Sequence, residues 1–375
     1  MRETLRFAEF ARAVEVPPSP EESWRPTLLC LKPDEASRFE EFCRRRRIAV
    51  IDRIERQVED LAAVRLPSSK QLADRECFVE ETMAGCGGRA SYGTWVYFPW
   101  DSKAVHLLDP DEYFEVITDR NRDKITREEQ QTLRGKKVGV VGLSVGAEAA
   151  VTIAQEHLCG HLVLADFDRL DLSNLNRLNA GCDELGLSKA IMVARRVAKI
   201  DPYIEVTVYH EGVTGANARQ FLDGLDLLIE ECDGLQVKYD LRLLARERGV
   251  NVVYAADERG FLSIEPYAFW PELRPFHGLV ETRPQQRETY ATPHDFMKAL
   301  AEWLGGWENI SPRARHSLGR VGDTLSGYPQ LAGEARYAAG QVGAAARRLL
   351  LGERLPPFVG NIDLAELIPS GDTAA

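Results

Sequence analysis

No C-x-x-C pair occurs in this chain. Its seven cysteines (Cys30, Cys43, Cys77, Cys86, Cys159, Cys182 and Cys232) are scattered and odd in number. That argues against a disulfide framework and removes the paired spacing of a structural zinc site. No apolar run reaches the length of a membrane span, and Met1-Arg2-Glu3-Thr4 does not read as a secretory signal. A basic excess is missing too. Against 58 acidic residues stand 47 lysines and arginines, a net charge of −11, which makes nucleic acid an unfavourable general partner. No internal repeat or extended low-complexity tract is present. The expectation is a cytoplasmic protein without zinc and without membrane association.

What is present is ample apolar material, 44% of 375 residues, enough for a large core in one or two domains. Residues 1–115 read as a small α+β domain. Thr27-Leu28-Leu29-Cys30-Leu31 suits a strand, and Pro33-Asp34-Glu35 opens a helix through Phe39 and Phe42, acids early and arginines late. Ile51, Ile54, Val58 and Leu61 recur at helical spacing, which predicts helix from Ile48 to Val64. Gly93 to Trp100 and Ala104 to Leu108 flank Asp101-Ser102-Lys103 as a β-hairpin, and Asp109-Pro110 starts another helix. The hairpin would offer a peptide an edge to pair with, or serve in packing or dimerisation. Arg44 to Arg47 is the one dense basic run, and a solvated helix terminus suits it better than a polyanion site.

Further along, Lys136-Lys137-Val138-Gly139-Val140-Val141 enters the turn Gly142-Leu143-Ser144-Val145-Gly146 and a helix over Ala147 to His157. Leu162-Val163-Leu164-Ala165 then ends in Asp166-Phe167-Asp168. This is the layout of a nucleotide-binding βαβ unit, in which Gly142 and Gly146 let backbone N–H groups approach a phosphate at the positive helix end. Measured against G-x-G-x-x-G, Ser144 replaces the second glycine and Ala147 the third. The turn alone therefore leaves open a dehydrogenase that binds NAD, with Asp166 on the ribose. Predicted strands Glu205 to Tyr209, Leu225 to Cys232 and Val250 to Ala255 alternate with helices Ala190 to Ile200, Ala216 to Leu222 and Lys238 to Arg248. The fold class is α/β, a doubly wound, mainly parallel sheet covered on both faces, with Gly142, Asp166, Asp233 and Ala256 at the ligand-binding strand ends.

The string Asp166-Phe167-Asp168-Arg169-Leu170-Asp171-Leu172-Ser173-Asn174-Leu175-Asn176-Arg177 resembles the signature of the ThiF, MoeB and ubiquitin-activating-enzyme superfamily of ATP-dependent adenylyltransferases. Four more motifs agree with that family in order. They are Arg120-Asn121-Arg122 with Gln130, Leu133 and Val138 after it, Gly186-Leu187-Ser188-Lys189, Asp201-Pro202, and the strand Asp226 to Asp233. The resemblance covers roughly residues 118 to 265. It implies a Rossmann-like adenylation domain over 116–355, including carboxyl-terminal helices, with 356–375 as a tail. ATP would be bound by Gly142, Ser144, Gly146, Asp166, Asp168, Asn174, Arg177 and Lys189, with Asp166 on the ribose and Asn174, Arg177 and Lys189 on phosphates. Asp233 would bind Mg²⁺. Catalysis would rest on Arg122, Arg177, Lys189 and Asp233, with Arg122 reaching the phosphates of the neighbouring protomer in a homodimer.

Each assignment has a plainer alternative in the residues themselves. Asp166 can cap the next turn, and Asn174 and Arg177 can be helix-start residues. Lys189 and Arg122 can be solvated charges, with Arg120 in the role of Arg122, and Asp233 a strand-end carboxylate. Lys238 stands where the family often has arginine and loses the bidentate fork. His277, in the polar stretch from Gly260 to Pro293, is a packed or exposed loop histidine before it is an acid or base. Cys232 on an apolar strand is core before it is nucleophile.

Departures from the family narrow the function. Many relatives hold zinc with two C-x-x-C pairs, and others carry a thioester cysteine; neither has a counterpart here. The chain is nearest in style to peptide-tailoring members of the microcin and pantocin type. The implied substrate is a peptide or small-protein carboxylate, activated as an acyl adenylate. A degenerate nucleotide-binding scaffold that presents peptides to a partner is the non-enzymatic alternative. The carboxyl-terminal part from Pro293 to Leu355 reads as helical, and its Ala/Gly-rich stretch Ala338 to Ala346 suits close packing, against a second protomer or within the chain.

Overall fold

The computed structural model describes residues 4–15, 19, 22–85, 88–284, 289–303 and 306–368. Cys86, the polar stretch 285–288 and the last seven residues fall outside them. Two compact units are present, one of Met1–Gln130 with Val197–Glu205, the other of Gln131–Arg196 with Val206–Ala375. Among the described residues no helix is long and apolar enough to cross a membrane.

The first unit carries β1 (Thr4–Arg6), β2 (Thr27–Cys30), β3 (Ala49–Asp52), β4 (Thr94–Phe98) and β5 (Lys103–Leu107), in the spatial order β1-β2-β4-β5-β3. β4 and β5 form the predicted antiparallel hairpin, with Val96 opposite Val105. Both of its edges are taken, by β2 and by β3, so the hairpin offers no free edge. Phe7, Phe10, Phe39, Phe42, Trp95 and Tyr97 form the core on one side. The predicted helix from Ile48 begins only at Ile54. Ala49–Asp52 is strand, paired parallel to β5, and the Ile54 N–H donates to Asp52 Oδ1 at 3.1 Å to start the helix Ile54–Arg65. Helical spacing of Ile54, Val58 and Leu61 was sound, but Ile51 shares it by coincidence. Arg44 to Arg47 close the helix Ala36–Arg46 and are exposed, with Arg47 in the left-handed conformation.

The second sheet, which apart from Glu205 lies in the second unit, holds β6 (Lys137–Val141), β7 (His161–Ala165), β8 (Glu205–Tyr209), β9 (Leu227–Glu230), β10 (Asn251–Ala255), β11 (Phe261–Glu265) and β12 (Phe358–Asn361). Their order is β12-β11-β10-β9-β6-β7-β8. β6 runs parallel to β7 and β9, and β9 parallel to β10; β11 and β12 are antiparallel additions. On one face Phe221, Leu222, Leu241 and Ala245 pack on Val141, Val163, Leu228 and Val252. Against the helix Val145–Gln155 lies the long helix Ala332–Leu350. Gly343 permits that contact, since a Cβ there would stand 3.0 Å from Thr152 Cγ2. The Ala/Gly-rich stretch is therefore spent on packing within the chain. β12, inside the segment read as a tail, is an ordered edge strand whose Val359 pairs with Ser263.

Candidate functional site

After β6 the chain moves to β7 and β8 on one side, and it returns to β9 and β10 on the other. The sheet thus has a switch point between β6 and β9, where ligands of open α/β sheets bind. Gly142 follows β6 with φ of +81°. A Cβ there would sit 2.4 Å from the Glu231 carbonyl carbon and 2.5 Å from the Cys232 nitrogen, so the two strand ends approach only because this residue is glycine. Gly146 works differently. It lies on the helix Val145–Gln155, and a Cβ would press on Val140 and Glu231 side chains at 3.2 Å, which makes it a helix-to-sheet contact.

Asp166 fastens the turn. Its Oδ2 accepts from the Leu143 N–H at 2.5 Å and its Oδ1 from the Asp168 N–H at 2.7 Å. Burial raises its pKa, and those two N–H groups together with Lys189 pull the other way. The turn-capping alternative is thus realised, with both oxygens engaged. Lys189 starts the helix Lys189–Ile200, and its buried Nζ donates to Asp168 Oδ2 at 2.9 Å and Ser144 Oγ at 3.3 Å. Three residues named from sequence, Ser144, Asp166 and Asp168, therefore line a cavity of about 120 Å³ beside Gly142, and Lys189 is bonded to two of them. Phe167, exposed and without a role in the sequence reading, adds an aromatic face to the same cavity.

Asp233 lines this cavity and also a second, of about 620 Å³. Arg177 lines the second one. Its Nη1 donates to Ser173 O at 3.2 Å and Asn176 Oδ1 at 2.9 Å, whereas its buried Nε has no partner among the described residues. Burial lowers the Arg177 pKa, and Asp257 and Asp233 offset the effect. Asp257, just past β10, was missed in the sequence, where Ala256 marked the strand end. It lines the same cavity, accepts from Gln330 Nε2 at 2.6 Å, and is raised in pKa by burial.

Of the remaining predicted residues, Cys232 lines the small cavity, and Asn174, Arg122, Lys238 and His277 lie outside it. Asn174 accepts the Asp171 N–H at 3.1 Å in a capping box. Arg122 belongs to the first unit and ion-pairs with Asp119 at 2.9 Å. Lys238 is buried, with Nζ 3.2 Å from both Glu230 oxygens and 3.9 Å from the centre of the Tyr254 ring. Glu230 also receives Arg242, which donates through Nε to Glu265 at 2.6 Å. This network was invisible in the sequence, because nothing local pairs the strand carboxylates Glu230 and Glu265 with cations 8 to 23 residues away on a helix. His277 meets Ser263 Oγ at 3.0 Å, and burial lowers its pKa. Burial and Glu230 push the Cys232 thiol well above its usual range, against a role as nucleophile. Among the described residues no three His, Cys, Asp or Glu side chains converge as a metal cage.

Residues 118–290 match the model of the ThiF family. Over 271 residues the chain is 39% identical to an uncharacterised protein of Mycobacterium tuberculosis, covering 72% of this chain and 38% of that one. It is 26% identical over 194 residues to ubiquitin-like modifier-activating enzyme 5 of Drosophila melanogaster, covering 48% and 47%. To the tRNA threonylcarbamoyladenosine dehydratase of Bacillus subtilis it is 32% identical over 137 residues, covering 36% and 54%. The matches span between 38% and 54% of these relatives' own lengths. The segment that matches the ThiF family model, residues 118–290, holds the glycine turn, Arg177, Lys189 and Asp233.

Proposed function

We propose that this protein is an ATP-dependent adenylyltransferase that activates a carboxylate of a peptide or small protein as an acyl adenylate. The observation that carries the reading is the position of Asp233, which lines both the small cavity at the glycine turn and the large one beside Arg177. Phosphates held at the first and a carboxylate held in the second would meet there. In that reaction a carboxylate oxygen attacks the α-phosphorus, the bond to the bridging oxygen breaks, and pyrophosphate leaves; the barrier falls mainly through positioning and neutralised phosphate charge.

The residues present fit the nucleotide. The buried Lys189 ammonium stands at the turn, and the orphaned Arg177 Nε lacks an acceptor that an anionic oxygen supplies. Mg²⁺ commonly takes one or two carboxylates plus substrate phosphates rather than an all-protein cage, and Asp233 with Asp257 offers such a pair on one cavity wall. When bound, ATP supplies the leaving group and Mg²⁺ neutralises its charge. The chain's own groups position: Lys189 and Arg177 hold oxygens, and the Gly142 turn lets backbone approach.

The preference for a peptide or small protein is supported by the printed name of the modifier-activating relative and by the net charge of −11, which weighs against tRNA. Peptide natural-product modification, a cytoplasmic location, and a homodimer in which Arg122 acts on the partner's site belong to the same proposal. Calorimetry with Mg-ATP and, separately, NAD⁺ tests it first. Mg-ATP binding to wild type, weakened in Asp233→Ala, is expected; binding of NAD⁺ alone removes the reading.

A further inference from the structure

The larger cavity is bigger than a carboxylate requires, and part of its lining has a chemistry of its own. Besides Arg177 and Asp233 it is lined by Met297, Leu300, Ala301 and Leu318. Met297, Leu300 and Ala301 stand three and four residues apart on the helix Pro293–Trp303 and so share one face. That face is backed on two sides. Ala301 and Leu318 pack with Ala256 and Phe261, while Leu300 packs with Phe276 and Phe296. At about 620 Å³ the space belongs with pockets of ~300–1,000 Å³ that enclose a small molecule's whole apolar body.

The polar wall adds discrimination. Asp257 accepts from Gln330 at 2.6 Å, and Glu258 accepts from Tyr328 Oη at 2.6 Å and the Ser311 N–H at 2.9 Å. Glu258 takes its donors from the protein, so a second anionic group on the substrate would meet its charge without a compensating cation.

We infer that the acid activated at this site carries an apolar group beside its carboxylate, as in a peptide ending in an aliphatic or aromatic residue. The carboxylate lies where the two cavities meet, and the side chain is held among Met297, Leu300, Ala301 and Leu318. The placement of the carboxylate rests on the adenylation reading; the apolar preference rests on the cavity.

The test is calorimetric binding of three tripeptides, ending in phenylalanine, glycine and aspartate, to the whole chain with and without Mg-ATP, followed by ATP–pyrophosphate exchange with each. The phenylalanine peptide is expected to bind at least about ten-fold more tightly than the aspartate peptide, in line with the discrimination an apolar pocket achieves. Leu300→Trp, which fills the apolar part of the cavity, should bring the phenylalanine peptide down to the affinity of the glycine peptide. Met297→Trp serves the same purpose if the first variant does not fold. Equal binding, a preference for aspartate, or no binding of any peptide overturns the inference. Selective binding of the phenylalanine peptide without exchange supports the apolar pocket and removes the adenylation reading.

Discussion

Arg242 joins Glu230 and Glu265, and none of the three side chains reaches solvent. Lys238 supplies the second cation, so two positive and two negative groups balance in the interior. Arg242→Met keeps most of the stem but leaves Glu230 with Lys238 alone and takes from Glu265 its ion-pair partner. Removing one partner of a buried pair costs ~3–5 kcal/mol, a large share of a domain's ~5–15 kcal/mol. At ~2–4 °C per kcal/mol for a domain of this size, the melting temperature should fall by on the order of 10 °C. The damage would reach the site, since Glu230 Oε1 also accepts the Cys232 N–H at 2.9 Å, one residue before Asp233. Urea denaturation followed by circular dichroism reads the stability. The rescue arm is Arg242→Met with Glu265→Gln, which removes the stranded charge while an amide oxygen still accepts from Tyr267 Oη and the Phe276 N–H, bonded at 2.6 and 2.7 Å. Stability should recover by at least ~1 kcal/mol, because residues in one network are not additive. If Arg242→Met is as stable as wild type, or the double variant loses the sum of both changes, the reasoning fails.

Three other outcomes are expected. Gly142→Ala should destabilise by ~2–3 kcal/mol and abolish Mg-ATP binding, whereas Gly186→Ala, also at positive φ but with open space above it, should cost only ~1 kcal/mol; equal losses in thermal melts would contradict the close-approach argument. Lys189→Met should weaken Mg-ATP binding ~10–100-fold, as for the loss of a charge-assisted hydrogen bond, and unchanged affinity by titration would place the ammonium outside the site. Glu231, buried with the Ala255 N–H on Oε1 at 2.9 Å, has a pKa raised well above the usual carboxylate range, burial being the main cause. Between its unfolded and folded pKa values unfolding releases a proton, so its contribution to stability is present at low pH and is lost as pH rises, by at most ~1.4 kcal/mol per unit. Glu231→Gln retains the acceptor and should therefore gain on wild type from pH 5 to pH 8 in melting temperature; a pH-independent difference would show Glu231 ionised in the fold.

The parallel sheet was legible because β6, β7, β9 and β10 are apolar on both faces and separated by helices, and because Gly142 and Asp166 mark their ends. β11 was not. Its Ser263 and Glu265 are buried, and Glu265 is tolerated there only because Arg242, on another helix, neutralises it. β12 is a four-residue edge strand next to Pro356 and Pro357, too short for alternation to register. β3 was hidden inside a helical period that Ile51 happened to continue. At the site, Lys189 and Asp233 were readable from motif order. Asp257 was not, because nothing local distinguishes a carboxylate that owes its place to Gln330, 73 residues away. The dual place of Asp233, between two cavities, is a property of the fold and of no single segment.

Carboxylate-dependent exchange of labelled pyrophosphate into ATP tests the central claim most directly, in wild type and in Asp233→Ala. The account predicts exchange that requires both Mg²⁺ and a peptide carboxylate and that disappears in the variant while the fold is kept. Exchange that survives in Asp233→Ala would contradict the shared role of Asp233, and Mg-ATP binding with no exchange for any carboxylate would contradict the adenylyltransferase assignment.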